Sequence, residues 1–139
     1  MITRSSNNYG PYQYDEKLIP LFVTNLLSGK KVPLYATGEN IRNWIYVDDN
    51  VEGIDKAFHK GKRGEIYNLG GNTELSNIDV TRKILKALGK TENMITYVVD
   101  RLGHDFRYSL DSSKARKELH WQPKINFSEG LKKTFAYYS

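Results

Sequence analysis

Short strand-like and helix-like segments alternate along this 139-residue chain, and the alternation limits the folds that it can adopt. Apolar, β-branched and aromatic residues indicate short strands at about 1–4, 32–35, 44–47, 65–69 and 95–99. Helical spacing indicates helices at about 16–27, from Asp48 or Asp49 to 59, from Ser76 to 88, at 111–119 and from Asn126 onward. The pattern predicts a small α/β domain with little sheet of its own.

Composition excludes several classes of protein. Hydrophobic residues make up 39% of the chain and charged residues 27%, which is typical of a globular protein rather than a disordered one. The absence of cysteine excludes disulfides and thiolate metal sites, and the three histidines lack metal-site spacing. No apolar run approaches the roughly 20 residues of a membrane span, and no secretory signal opens the chain. We therefore expect a cytoplasmic protein without a membrane partner.

The net charge of +5 has two interpretations. One is a basic face that binds nucleic acid, and the other is a site for a small anionic ligand such as a nucleoside diphosphate. The basic residues are scattered along the chain, and no nucleic-acid-binding motif accompanies them. We therefore expect no nucleic-acid partner.

The opening segment is a short strand that runs into a polar loop. The loop, at about 5–15, contains Asn7, Asn8 and Gln13 among tyrosines, and Gly10-Pro11 interrupts it. Amide and phenol groups offer directional donors and acceptors, and a Gly-Pro pair restrains the backbone that carries them. This segment therefore has the composition of a binding loop.

The sequence lacks the motifs of dinucleotide binding and proton transfer. No Gly-x-Gly-x-x-Gly turn occurs, and no tyrosine is followed four positions later by lysine. We therefore predict no catalytic, cofactor-binding or metal-ligating residue in this chain.

Four segments together resemble a known family. They are the opening loop with Glu16-Lys17-Leu18-Ile19-Pro20, the segment Arg42-Asn43-Trp44, the loop Asp100-Arg101-Leu102-Gly103-His104-Asp105, and the tail 110–131. They resemble the substrate-binding part of the extended short-chain dehydrogenase/reductase family, within the NAD(P)-binding Rossmann-like superfamily. Within that family, the chain looks most like the C-terminal portion of the dTDP-glucose 4,6-dehydratases.

The resemblance implies a set of substrate-binding residues. Arg42 and Arg101 would hold the diphosphate, for which a planar guanidinium is suited, and His104 would lie near the nucleoside. The base would lie between Leu18 and Pro33, with Tyr35 stacking on it or donating its phenol. Asn77 would reach the nucleotide from a helix start. Asn7 and Lys17 belong to the matching opening segments. The full set is Asn7, Lys17, Leu18, Pro33, Tyr35, Arg42, Asn77, Arg101 and His104.

This chain departs from the family pattern near both arginines. Asn43 stands where aspartate is usual, so we expect a weaker ion pair to orient Arg42, and Leu102 replaces a proline. In the tail, we expect Trp121 and Pro123 to dock the last helix as scaffold.

The resemblance also implies a division of the chain. Residues 1–15 would be the end of a Rossmann-domain strand with its crossover loop, and 16–139 a nucleotide-sugar-binding domain, with the Rossmann core largely missing. NAD would serve the complete enzyme and would not bind this chain alone. The expected partners are a dTDP-sugar, the missing N-terminal NAD-binding half and, in the full-length enzyme, a second copy.

Three functions remain open. The first is the nucleotide-sugar-binding part of a dTDP-glucose 4,6-dehydratase, a lyase, which is inactive alone because the NAD fingerprint and the Tyr-x-x-x-Lys pair are absent. The second is the corresponding part of a related epimerase or decarboxylase. The third is a non-catalytic nucleotide-binding module. Whether this chain is itself an enzyme is therefore left open.

Overall fold

The strands form three small sheets rather than one wide sheet in this computed structural model, which describes residues 1–138. The strands are β1 (Ile2–Ser5), β2 (Asn7–Tyr9), β3 (Val32–Tyr35), β4 (Ile41–Tyr46), β5 (Ile66–Leu69), β6 (Thr73–Ser76), β7 (Ile95–Val98) and β8 (Arg107–Tyr108). The helices are α1 (Leu18–Leu27), α2 (Val47–Lys60), α3 (Asn77–Ala87), α4 (Ser113–Leu119) and α5 (Phe127–Tyr138), with a 3-10 turn at Glu92–Met94. The small α/β fold predicted from the sequence is confirmed.

Parallel pairing predominates in these sheets. β1 pairs with β5, β3 pairs with β7, and β4 pairs with both β2 and β8, all in parallel register. Of the strands in residues 1–138, only β6 runs antiparallel, along the other edge of β4. β2 and β8 therefore follow one another along a single edge of β4, which brings the opening loop and the loop before β8 to the same strand.

Two apolar cores lie on either side of β4. The larger one joins α1, α3 and α5 to β3 and to Tyr9, Trp44 and Tyr46. The smaller one is formed by Ile45, Ala57, Tyr67, Leu69, Ala115, Leu119 and Trp121. Consecutive residues of a strand point to opposite faces, so Trp44 enters the first core and Ile45 the second.

Trp121 supports a different helix from the one that the sequence led us to expect. Its ring packs in the smaller core, and its Nε1 donates a hydrogen bond of 3.0 Å to the carbonyl oxygen of Asp49 in α2. The prediction that it docks the last helix is wrong. The buried carboxylate of Asp49 accepts from the amides of Lys124 at 3.0 Å and Ile125 at 2.9 Å, which fixes the following segment to α2 as well.

The start of α2 also differs from prediction. β4 leads directly into the helix at Val47, and the N-cap residue Tyr46 makes no side-chain cap bond. Asp48 and Asp49 lie in the first turn rather than at the cap. Their negative charges stabilise the helix there by interacting favourably with the positive end of its dipole. By contrast, α3 begins as its sequence Ser76-x-x-Asp79 indicates, because the Oγ of the cap residue Ser76 accepts from the Asp79 amide at 3.2 Å.

No helix in the described part of the chain is long and apolar enough to cross a membrane.

Candidate functional site

A small cavity of about 110 Å³ lies between the start of α1, β3, the start of α3 and the loop that follows β7. The residues that line it are Glu16, Leu18, Leu21, Phe22, Pro33, Leu34, Tyr35, Asn77, Arg101 and His104. Six of the nine predicted binding residues are therefore brought together here. They come from segments that are far apart in sequence, as a site built by folding requires.

The apolar walls follow from the local structure of α1 and β3. Pro33 and Tyr35 share one face of β3 and are half-buried, whereas Val32 and Leu34 alternate with them and are buried. Within residues 1–138 β3 pairs only with β7, so Pro33 lies in an edge strand, where it breaks no ladder bond. Leu18, the first residue of α1, supplies the opposite wall.

A cation lies over the aromatic wall. The Cζ atom of Arg101 is 4.3 Å from the centroid of the Tyr35 ring, within the range of a cation–π contact. The ring of His104 approaches the same tyrosine edge-on, with 6.2 Å between the ring centroids. Tyr35 thus organises both of the predicted loop residues at the rim of the cavity.

Asp100 holds this loop in shape. Its Oδ1 lies 2.6 Å from Nδ1 of His104 and accepts a hydrogen bond of 2.9 Å from the Arg101 amide. The contact with His104 is the main reason that the pKa of the Asp100 carboxyl lies below its ordinary value. Gly103 adopts a φ of 70°, which suits glycine and allows the tight turn between Arg101 and His104.

Arg42 does not line the cavity but is bonded to the loop that borders it. Its Nη1 donates to the carbonyl of Ile41 at 2.7 Å, and its Nη2 donates to the carbonyl of Asp105 at 2.9 Å. Asn40 also donates to the Asp105 carbonyl, at 3.2 Å. The guanidinium therefore connects β4 to the loop that carries Arg101 and His104.

Asn43 has a role unrelated to Arg42. It lies on the opposite face of β4, where its Nδ2 donates to the carbonyls of Gly71 at 2.8 Å and Thr73 at 3.3 Å. An ionised aspartate could not donate to either carbonyl, so an amide suits this position. The sequence led us to expect a weakened ion pair between position 43 and Arg42, but the two side chains bond to different backbone carbonyls on opposite faces of β4.

The remaining predicted residues lie in different places. Asn77 is buried at the start of α3 and faces the cavity, while the cap of that helix is supplied by Ser76. Asn7 lies on β2, opposite Trp44, and Lys17 is exposed just before α1. Neither of these two lines the cavity.

Sequence reasoning assigned no binding role to four of the lining residues, Glu16, Leu21, Phe22 and Leu34. Leu21 is three positions after Leu18, and residues at that spacing share a helix face. The position of Leu21 beside Leu18 could therefore have been predicted from the sequence. Glu16 adds a carboxylate near the basic rim.

A second cavity, of about 220 Å³, lies at the opening loop and is lined by Asn8, Tyr9, Gly10, Pro11, Tyr12, Gln13 and Val47. Asn8 Oδ1 and Gln13 Oε1 are buried and have no hydrogen-bond partner within residues 1–138. Buried acceptors of this kind are usually satisfied, so they are suited to a donor from outside the chain. Gly10 has a φ of 147°, and a Cβ there would lie 2.6 Å from Val47 Cγ1.

In the same described range, no group of three histidine, aspartate or glutamate side chains could hold a metal ion.

Known proteins resemble this chain over nearly its whole length. The family model for GDP-mannose 4,6-dehydratase matches residues 1–134. A dTDP-glucose 4,6-dehydratase from Streptomyces niveus is 49% identical over 138 residues, which are 99% of this chain and 41% of that enzyme. The solved dTDP-glucose 4,6-dehydratase of Streptomyces venezuelae, with NAD bound, superimposes with a TM-score of 0.97 at 50% identity over 99% of this chain and 42% of that one.

A further solved structure carries a different activity. The UDP-glucose 4-epimerase of Thermotoga maritima is 30% identical and superimposes with a TM-score of 0.92, over 98% of this chain and 44% of the epimerase. The chain thus spans about two fifths of the length of the relatives that it matches.

Proposed function

This chain belongs to the GDP-mannose 4,6-dehydratase family, and on that premise we propose that it is the nucleotide-sugar-binding part of a dTDP-glucose 4,6-dehydratase. The complete enzyme would convert dTDP-glucose to dTDP-4-keto-6-deoxyglucose. The observation that carries the proposal is the cavity in which Leu18, Pro33 and Tyr35 face Arg101. Its apolar walls suit a base, and its cationic rim suits the phosphates attached to that base.

The volume of the cavity indicates that it holds only one part of the nucleotide. At about 110 Å³ it is smaller than the roughly 300–1,000 Å³ of a complete small-molecule pocket. We therefore assign it to the base alone, which would lie between Leu18 and Pro33. The ribose and diphosphate would lie outside, along the rim that Arg101 and His104 form.

Arg42 can serve the diphosphate while it supports the loop. A guanidinium has five N–H donors, and two are used by the carbonyls of Ile41 and Asp105. The remaining donors are available to phosphate oxygens. Two arginines would then hold the diphosphate and fix the attached sugar in one orientation, which is a contribution to rate through positioning.

The residues of this chain do not fit an NAD site by themselves, because no glycine-rich dinucleotide turn is present. In the complete enzyme, NAD would be held by the part outside this chain and would supply hydride transfer to and from the sugar. We derive no step of that chemistry from this chain.

We further propose that the NAD-binding half covers a specific face of this chain. In the part of the chain that the structure describes, β1 pairs with β5 alone, so its second edge is open, and Ile2 of this strand is 55% exposed. Phe58 of α2 is 74% exposed beside Met1 and Ile54. An open strand edge beside an exposed apolar patch is a usual sign of a covered surface. The division at residue 15, a homodimer and a cytoplasmic location stay predictions.

An epimerase part is the second candidate, because the same fold occurs in the Thermotoga maritima enzyme. Identity to the dehydratases is 49–50% against 30% for that epimerase, which favours the first candidate.

Isothermal titration calorimetry tests the proposal. The 139-residue chain is titrated with dTDP and, separately, with NAD. The Arg101→Ala variant is titrated with dTDP in the same way to test the cationic rim. We expect dTDP binding that the variant weakens, and no tight binding of NAD. Tight NAD binding, or dTDP binding that Arg101→Ala leaves unchanged, contradicts the proposal.

An activity measurement separates a dehydratase part from a non-catalytic module. The chain is mixed with dTDP-glucose, first alone and then with the NAD-binding half of a relative, and the 4-keto product is followed. We expect product only in the mixture. Turnover by the chain alone, with the other half rigorously absent, would overturn the assignment.

A further inference from the structure

A groove of about 550 Å³ runs between α3 and α5, away from the cavity described above. Both helices pack against α1. The groove is lined by Lys83, Lys86, Ala87, Ser128, Leu131, Lys132 and Phe135. None of these residues lines the small cavity, although α3 contributes to both sites: Asn77 at its start faces the cavity, and Lys86 near its end faces the groove.

The walls of the groove are basic on both sides. Lys83 and Lys86 belong to α3 and Lys132 belongs to α5, and all three side chains are exposed. Within residues 1–138 none of the three forms an ion pair, whereas the neighbouring Lys133 pairs with Glu129 at 3.3 Å. No acidic residue lines the groove. Its positive charge is therefore not compensated by the part of the chain that the structure describes.

The floor of the groove is apolar. Leu131 is 4% exposed, Phe135 is half-buried, and Ala87 presents only a methyl group. Lysine side chains extend this surface, because their methylene stems pack along apolar groups while the ammonium groups stay in water. An occupant that matches this groove needs an apolar stripe with negative charge on both sides of the stripe.

We propose that this groove binds an acidic amphipathic helix of a partner protein. A helix has the required cross-section, because apolar residues spaced three and four apart form a stripe and acidic residues flank it. A groove between two helices receives such a stripe by side-chain packing, as a third helix does in a bundle. Three cations on a concave surface suit a narrow acidic ligand better than a flat lipid surface.

The proposal does not depend on the nucleotide-sugar assignment. The groove and the small cavity share no residue, so the affinity for dTDP and the affinity for a peptide are separate measurements. Failure of one leaves the other unaffected.

A synthetic peptide is the probe. It has about 18 residues, or five helical turns, with leucine at alternating spacings of three and four and glutamate elsewhere. A peptide of the same composition with the leucines scattered around the helix is its control. Both carry a fluorophore, and binding to the 139-residue chain is followed by fluorescence anisotropy. We expect micromolar binding of the amphipathic peptide and at least about tenfold weaker binding of the scattered one.

Two variants test the groove itself. The groove triple variant carries Lys83→Glu, Lys86→Glu and Lys132→Glu, and we expect it to bind at least about tenfold more weakly, since like charges then face the peptide. Ala87→Arg keeps the charge of the groove positive while it fills the floor. We expect this variant to lose binding as well, which mere attraction between opposite charges would not produce.

A charge-matched variant is the control for both. The triple substitution Lys30→Glu, Lys31→Glu and Lys117→Glu makes the same change in net charge at exposed positions outside the groove. We expect it to bind the peptide within about twofold of the parent. Circular dichroism and urea unfolding confirm that each variant is folded.

Three results would overturn the proposal. They are no binding of the amphipathic peptide, equal weakening in the groove triple and the charge-matched variant, and full binding by Ala87→Arg. Binding of the parent to anionic phospholipid vesicles, lost in the groove triple while the peptide does not bind, would assign the groove to a membrane surface instead.

Discussion

The Nη2 group of Arg42 donates a hydrogen bond of 2.9 Å to the backbone carbonyl of Asp105, which ties strand β4 to the loop over the candidate base cavity. Asn40 donates to the same carbonyl, and the amide of Ile41 donates to Phe106. The position of Arg101 and His104 at the cavity rim thus depends on a strand residue that does not line the cavity.

Replacement of Arg42 by alanine should weaken dTDP binding by about 1.5–3 kcal/mol, the usual range for a hydrogen bond to a charged group. Arg42→Lys should recover only part of this loss, because a compact ammonium cannot reproduce the planar, bidentate fork of the guanidinium. Calorimetry measures both. The exposed Arg63→Ala is the matched control and should bind like the parent. Parent-like affinity in both Arg42 variants would refute the role of Arg42.

The contact between Arg101 and Tyr35 should be measurable as a coupling energy. We expect Tyr35→Leu and Arg101→Ala each to weaken dTDP binding, with a coupling of about 0.5–1 kcal/mol between them, the range for an exposed cation–π pair. Tyr35→Phe keeps the ring and distinguishes stacking from donation by the phenol. If the double variant shows strictly additive losses, the contact has no energetic role in binding.

The base cavity should discriminate among nucleoside diphosphates. Thymidine should be preferred over uridine by at most about 1 kcal/mol, the transfer value of one methyl group. Guanosine should be rejected more strongly, because its two-ring base exceeds a cavity of about 110 Å³. Competition against labelled dTDP measures the order of the three affinities. Equal affinity for dTDP and GDP would contradict the assignment of this cavity to the base.

Tyr9 should make the chain less stable in alkaline solution. Burial, followed by the nearby Tyr46, Asp49 and Glu129, raises the pKa of Tyr9 above its ordinary value of 10.0. A raised pKa means that the folded state holds the proton more tightly than the unfolded state. This stabilisation is complete below pH 10 and is lost as the pH rises through the folded pKa, so the urea midpoint should fall above about pH 10.

The variant Tyr9→Phe isolates that effect. It removes a hydrogen bond of 3.3 Å to the carbonyl of Phe127, so it should be about 1 kcal/mol less stable near neutral pH. Its urea midpoint should nevertheless fall less steeply than that of the parent above pH 10. Tyr12→Phe, at a position that is 87% exposed, should keep the slope of the parent. Identical slopes in the Tyr9 variant and the parent would exclude Tyr9 as the cause.

Gly71 should not tolerate a side chain. A Cβ there would overlap the carbonyl oxygen of Trp44, and backbone of a central strand cannot move aside. We expect Gly71→Ala to lower the free energy of unfolding by about 3 kcal/mol or more. Gly64→Ala is the comparison, because its φ is 84° and no atom lies within 4 Å of a Cβ there. It should cost about 1–2 kcal/mol from backbone strain alone. Equal losses in urea unfolding would contradict the steric account.

Local chemistry explains what the sequence could predict. Ser76 and Asp79 are three residues apart, so their cap needs no knowledge of the rest of the fold. Pro33 likewise indicates an edge strand by itself, and the spacing within β3 places Tyr35 on the same face. The cavity residues were found because their segments resemble those of a family.

Distant backbone groups explain what the sequence could not predict. Nothing near Asp49 in sequence indicates that its carboxylate accepts from the amides of Lys124 and Ile125. Nothing near Asn43 reveals the carbonyls of Gly71 and Thr73. Three short strands were missed for the same reason, because each pairs with the distant strand β4: β2, which was predicted as part of the opening loop, β6 and β8.

The strand pairings also determine when this chain can fold during its synthesis. Ile2 pairs with Ile66, Asn7 with Trp44, and Val32 with Ile95, so none of these parallel ladders joins neighbouring segments. The chain loses entropy when it closes these long loops, before the paired strands stabilise it. This order slows folding. Strand β1 therefore stays without this pairing during synthesis until β5 has emerged. During that interval its unpaired backbone edge is accessible to chaperones and to other nascent chains.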